Sequence, residues 1–159
     1  MKRIPLNDGR FALVDDGDYE ALARHKWYVI ERRGLPYAAR QEWERGVPRT
    51  VRMHRLIADA KPGEIVDHAN RDTLDNRRAN LRKCTASENA ANQRKRITST
   101  SPFKGVRKNR SGWQARMCHN GKRLHLGYFG SAKDAAIAYD RAATEIFGTF
   151  ARRNFTEAA

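Results

Sequence analysis

Four side chains in a short stretch could act on a phosphodiester: the adjacent pair Asp67 and His68, Asn80 within the run Asp75 to Arg82, and Asn89 a few residues further on. An imidazole with a pKa near ~6.5 can take a proton from water at neutral pH, which is the task of a general base. The hard oxygens of Asp67 and Asn89 suit Mg2+ or Mn2+, and two protein ligands leave coordination places for water and phosphate oxygens. These are the parts that metal-assisted phosphodiester hydrolysis requires. Each residue also has a plain structural reading. Asp67 and His68 could be an ordinary surface pair, Asn80 a bridge between backbone groups in a turn, and Asn89 an exposed helix residue.

The elements that would position them are legible. Gly63 to His68 is a short apolar run after a turn signal and reads as a strand. Asn70 to Asp72 is loop, and Asn76 to Arg82 reads as a turn leading into a second strand. Thr85-Ala86-Ser87-Glu88 has the pattern of a capping box, with Thr85 as N-cap and Glu88 at N3, so Asn89 sits in the first helical turn. The unit is strand, loop, strand, helix over about residues 63–96. His54 is expected to pack at the start of a helix, beside Leu56 and Ile57.

A second block runs from Phe103 to Phe155. Trp113, Ala115 and Met117 alternate with Gln114, Arg116 and Cys118, and the alternation resumes at Arg123-Leu124-His125-Leu126 after Asn120-Gly121, a hairpin signal. One sheet face is then apolar, and the other presents Arg116, Arg123 and His125 as a nucleic-acid surface. A helix starting at Ser131 covers the apolar face: Ser131 and Asp134 form a capping box, Gly148 ends the helix, and Ala135, Tyr139, Ala142 or Ala143, and Ile146 recur at helical spacing.

The first 52 residues carry no evident chemistry. Ile4 to Val14 suggest a hairpin turning at Asn7-Asp8-Gly9, and Asp16 to Arg24 a short helix. Trp27 to Ile30, Pro36 to Gln41 and Thr50 to Met53 suggest strands. Asp15, Asp16 and Asp18 read as a turn and helix start, not as a metal cluster. Composition shifts at Ile97-Thr98-Ser99-Thr100-Ser101-Pro102, a stretch that reads as a linker between modules at 1–96 and 103–159.

The formal charge is +14, with +7 on each side of Arg96, so both modules could meet a phosphate backbone. Arg77, Arg78 and Arg82 flank the candidate catalytic residues and are expected to contact DNA. Cys84 and Cys118 are isolated and lack the spacing of a structural zinc site, so no structural zinc is expected. No apolar run approaches the ~20 residues needed to cross a membrane, and the start lacks a signal-peptide core. The expected location is the cytoplasm of a bacterial or phage-infected cell.

The segments Met53-His54-Arg55-Leu56-Ile57, Val66-Asp67-His68, Asn76-Arg77, Asn80-Leu81-Arg82 and Thr85 to Asn89 resemble the HNH endonucleases of the ββα-metal superfamily, in their phage and homing variety. The resemblance implies His68 as general base, Asp67 and Asn89 as ligands of one divalent ion, and Asn80 as the residue fixing the loop that aims the histidine. It also implies 5′-phosphate and 3′-hydroxyl products. The chain has Asp where many relatives have the first His, and Asn where many have the last.

Gly105-Val106-Arg107, Trp113-Gln114-Ala115, Arg123 to Gly127 and Ala135 to Ala143 resemble the AP2 domain, a three-stranded sheet on one helix whose strand arginines contact DNA. By position, the resemblance implies Lys104, Arg107, Arg116, Arg123 and His125 as DNA contacts. Lys104, Arg116, Cys118 and His125 stand where relatives usually have Arg, Glu, Arg and Trp, so the plant relatives' target sequence does not transfer.

The expectation is an α+β chain: a ββα-metal nuclease module on a small supporting sheet, followed by a three-stranded antiparallel sheet packed on one helix. It is expected to be a site-selective, metal-dependent DNA endonuclease with double-stranded DNA as partner and a monomer favoured. The alternative is a DNA-binding regulator that kept a nuclease scaffold and lost its activity. An RNA-binding structural protein is weaker, because the sheet lacks an evident row of stacking aromatics.

Overall fold

The computed structural model describes residues 1–95 and 101–155. The expected linker lies outside the described residues over 97–100. Contacts divide the chain into two compact units, Met1–Cys84 and Thr85–Ala159.

The first unit opens with the hairpin β1 (Lys2–Pro5) and β2 (Phe11–Val14), whose alternation turns Ile4, Ala12 and Val14 inward. Helix α1 (Asp16–Ala23) buries Leu22, whose carbonyl accepts the Trp27 indole N–H at 2.8 Å. A three-stranded antiparallel sheet follows: β3 (Tyr28–Arg32), β4 (Leu35–Glu44) and β5 (Val47–Arg52). These strands run further than their hydrophobic pattern alone indicates. The reason lies in the connections Arg33-Gly34 and Arg45-Gly46, where both residues have positive φ. That is the geometry of the tight hairpin turn whose twist matches the strands, so pairing extends to the turn itself. Met53, expected at a strand end, instead begins helix α2 (Met53–Ile57) and is fully buried. Ile4, Val14, Leu22, Trp27, Ala38, Met53 and Ile57 form the core.

The hairpin of β6 (Ile65–His68) and β7 (Leu81–Cys84) completes this unit, with Asp67 opposite Arg82 and His68 opposite Leu81. Between them, a 3-10 turn covers Arg78–Asn80.

The second unit starts with α3 (Ala86–Asn92), so β6, β7 and α3 follow in ββα order along the chain. Both halves of its capping box form: Thr85 Oγ1 accepts the Glu88 amide at 3.2 Å, and the Glu88 carboxylate accepts the Thr85 amide at 2.7 Å. The antiparallel sheet has the order β10 (Lys122–Phe129), β9 (Gly112–His119), β8 (Val106–Asn109) and packs on α4 (Ala132–Phe147). Along α4 the buried apolar residues are Ala135, Ala136, Tyr139, Ala143 and Phe147, and Asp140 is buried with them. Ile146, expected in the apolar stripe, is exposed, because the i+4 steps from Tyr139 through Ala143 end on Phe147.

Candidate functional site

His68 ends β6 and is 4% exposed; Asp67, one residue earlier, is 8% exposed. Strand alternation sends their side chains apart. Register places Arg82 across from Asp67, and its Nε and Nη2 donate to Asp67 Oδ2 at 3.0 and 2.8 Å. Burial pushes the His68 ring below its ordinary pKa, while the Asn76 carboxamide and the carboxylates of Asp67, Asp72 and Asp75 pull the other way.

The loop from His68 to Leu81 is pinned at several points. Asn80 is buried: its Oδ1 accepts the Asn70 amide at 2.9 Å and its Nδ2 donates to the Asp75 carbonyl at 2.7 Å. The Ala69 amide donates to the Asn80 carbonyl at 2.9 Å, tying the residue after His68 to the base of the next strand. Asn76, fully buried, donates its amide to the Leu13 carbonyl at 2.8 Å. Asp75 accepts Arg77 Nε at 2.7 Å, Arg77 Nη2 at 2.6 Å and Asn70 Nδ2 at 2.8 Å. The Arg77 guanidinium holds its carboxyl below the usual carboxylate range. Such closure of buried polar groups makes the loop a rigid support for His68.

Two further rings meet His68. His54, on α2, lies 5.1 Å from it edge-on, and Tyr37, on β4, lies 5.4 Å from His54 and 6.2 Å from His68. Burial lowers the His54 pKa to about 3 and raises that of the Tyr37 hydroxyl. Both rings are therefore neutral at pH 7. Tyr37 carried no sequence signal for this neighbourhood. Strand alternation can assign Tyr37 to a face, but not that face to His68.

Arg77 and Arg78, beside this site, are engaged. Arg77 pairs with Asp75. Arg78 holds Asp18 through Nε at 2.9 Å and Nη2 at 2.6 Å, while its amide donates to Asp15 at 2.7 Å. Asp15 and Asp18 thus tie the helix start of α1 to the 3-10 turn.

Among the described residues, no three His, Cys, Asp or Glu side chains gather into a metal-binding group. The expected ligand pair is of another composition, one carboxylate and one carboxamide. Asp67 suits a hard cation in chemistry, and Arg82 competes for the same carboxylate. Asn89 stands on α3, in the second unit, with its amide donating to the Thr85 carbonyl at 3.0 Å.

In the second unit, Arg107, Arg116, Arg123 and His125 are all exposed on the sheet. Arg116 pairs in register with His125, Arg107 with Gln114, and Gln114 with Tyr128. A bulge at Leu126 brings Tyr128 back to the face of His125, with ring centroids 4.6 Å apart, and Gln114 Nε2 lies 3.0 Å from His125 Nδ1. Tyr128, 65% exposed, was not foreseen on this face, because the bulge shifts the alternation by one. Lys104 has a role that its sequence position did not indicate. Its ammonium donates to the carbonyls of Ala90 at 3.2 Å, Gln93 at 2.8 Å, and Ala91, which caps the C-terminus of α3.

The fold has β6, β7 and α3 in the ββα order of a nuclease-like fold and a separate three-stranded sheet packed on α4. The profile of the HNH endonuclease family matches residues 51–91. An HNH endonuclease of Acanthamoeba polyphaga mimivirus is 31% identical over 153 residues, covering 92% of this chain and 75% of that protein. This chain belongs to the HNH endonuclease family. It also contains a distinct AP2-like domain. Dehydration-responsive element-binding protein 2E of Arabidopsis thaliana is 46% identical over 66 residues, and protein 2C of the same plant 48% over 58. Each match covers 35% of this chain, and 27% and 17% of the respective plant proteins. No helix among the described residues is long and apolar enough to cross a membrane.

Proposed function

We propose that this protein is a site-selective DNA endonuclease that depends on Mg2+ or Mn2+, with His68 as its general base. The observation that carries the reading is the state of His68: burial holds its ring below the ordinary pKa, so the proton-accepting form prevails at neutral pH. His68 takes a proton from the attacking water. Asn80 keeps the loop after His68 in place through its bonds to Asn70 and Asp75. Asp67 and Asn89 would hold the divalent ion, which supplies charge stabilisation at the phosphate when bound. Arg107, Arg116, Arg123 and His125 offer an exposed basic face to duplex DNA, and Lys104 serves α3 instead. In this reading the module up to residue 96 cuts, the module from 103 to 159 reads, and the monomer acts on cytoplasmic DNA.

The test is plasmid cleavage with Mg2+ and Mn2+. His68→Ala is expected to lose the general-base contribution, roughly 10²–10⁴ in rate, while DNA affinity stays near that of the parent. Undiminished cutting by the folded variant overturns the assignment. One observation favours the inactive regulator: Asp67 is buried and held by Arg82. Wild-type protein that binds DNA but cuts none with either ion would decide for that reading.

A further inference from the structure

We infer that Arg52 grips the phosphodiester at the His68 site through a guanidinium with which no carboxylate pairs among the described residues. The inference deepens the nuclease reading and rests on it. Arg52 closes β5 opposite Ala39 of β4 and serves as the N-cap residue of α2. Cross-strand partners share a face, and Tyr37 lies two residues from Ala39, so Arg52 and Tyr37 are diagonal neighbours on one side of the sheet. His54 follows Arg52 by two residues, and its ring lies 5.1 Å from that of His68. The Arg52 charge is felt by both the Tyr37 hydroxyl and the His54 ring.

Among the described residues Arg52 combines the want of a carboxylate with a buried Nε that meets no acceptor. Arg77, Arg78 and Arg82 are matched to Asp75, Asp18 and Asp67, and Arg55 donates to the carbonyls of Glu64 and Lys61. Among the described residues no carboxylate pairs with Arg52, and its buried Nε has no hydrogen-bond partner. A half-buried guanidinium beside neutral rings is poorly compensated, and an arriving phosphate offers both the missing charge and acceptors in a matching planar geometry. An unsatisfied buried donor is costly in the free protein, so the arrangement favours the bound state.

The experiment uses the full chain carrying His68→Ala, so that DNA stays intact, and measures duplex affinity across a salt series. Adding Arg52→Gln is expected to reduce the magnitude of the slope of log K against log salt by about 0.9, the value for one phosphate contact. An unchanged slope overturns the inference. Should the Gln variant fail to fold, the Nε–H resonance of Arg52, assigned by its loss in Arg52→Lys, gives a second reading. It is expected to shift when short duplex is added, and an unmoved resonance overturns the inference. Failure of the nuclease reading is seen separately, as absence of cutting by wild type. Wild type that cuts while Arg52→Gln keeps both its salt slope and its kcat/KM refutes Arg52 alone.

Discussion

Arg82 reaches across the β6–β7 pair and places two donors, Nε at 3.0 Å and Nη2 at 2.8 Å, on one oxygen of Asp67. The carboxylate expected to bind the metal is thus already neutralised by its own strand partner. Metal binding and ion pairing compete for one group. Arg82→Ala removes the competitor and with it the ion-pair partner of a buried carboxylate, which costs roughly 3 kcal/mol. The expected outcome is a lower Tm in EDTA, with a larger recovery on adding Mn2+ than wild type shows. Thermal melts with and without metal check this, and equal metal responses in the two proteins would argue against Asp67 as a ligand.

His54 makes stability depend on acid. Its folded pKa, about 3, lies below the ordinary ~6.5, so between these values the unfolded chain binds a proton that the folded chain does not. The contribution is fully present above pH 6.5 and is lost as pH falls towards 3, at about 1.4 kcal/mol per pH unit. Lowered in the same direction, His68 adds to the loss. Denaturant melts from pH 7 to pH 4 are expected to show a flatter acid limb for His54→Gln than for wild type.

Gly105 is a position where only glycine fits. Its φ is +75°, and a Cβ there would lie 2.0 Å from the Tyr139 ring and 2.8 Å from the Arg116 carbonyl oxygen. The Gly105 carbonyl also accepts the Arg116 amide at 2.8 Å, so the backbone cannot easily withdraw. Gly105→Ala should lower stability by at least about 2 kcal/mol, through left-handed strain and displacement of a buried ring. Chemical denaturation read at Trp113 reports on this unit, and a change under 0.5 kcal/mol would contradict the close approach.

Two kinds of DNA contact are open to the exposed arginines of β9 and β10 under the proposed reading. If Arg116 or Arg123 reads a base edge, its replacement by Ala costs about 1–3 kcal/mol at the preferred site and relaxes preference at one position. If it meets only phosphate, affinity falls alike for all sequences. Selection from a random duplex library, compared between wild type and each variant, separates the cases. Unchanged affinity and preference in both variants would remove this face from recognition.

The sequence by itself determined what depends on neighbours along the chain. The caps at Thr85 and Ser131 need only the intervals to Glu88 and Asp134: the box at Thr85 forms in full, while at Ser131 the hydroxyl accepts the Asp134 amide and donates to its carboxylate. The hairpin at Asn120-Gly121 and the alternation of β9 are equally local, because turn geometry and period 2 act over a few residues. Tertiary structure decided what depends on distant partners. Which basic side chains are engaged was one such matter: Arg78 finds Asp18 sixty residues earlier, and Lys104 finds the end of α3, while among the described residues Arg52 finds no carboxylate. No local pattern records these outcomes, since an ion pair forms wherever the fold brings opposite charges within reach. The gathering of Tyr37, His54 and His68 is of the same kind. A strand, a helix start and a second strand lie next to one another only because the core beneath them, built on Ile4, Val14 and Met53, closes that way.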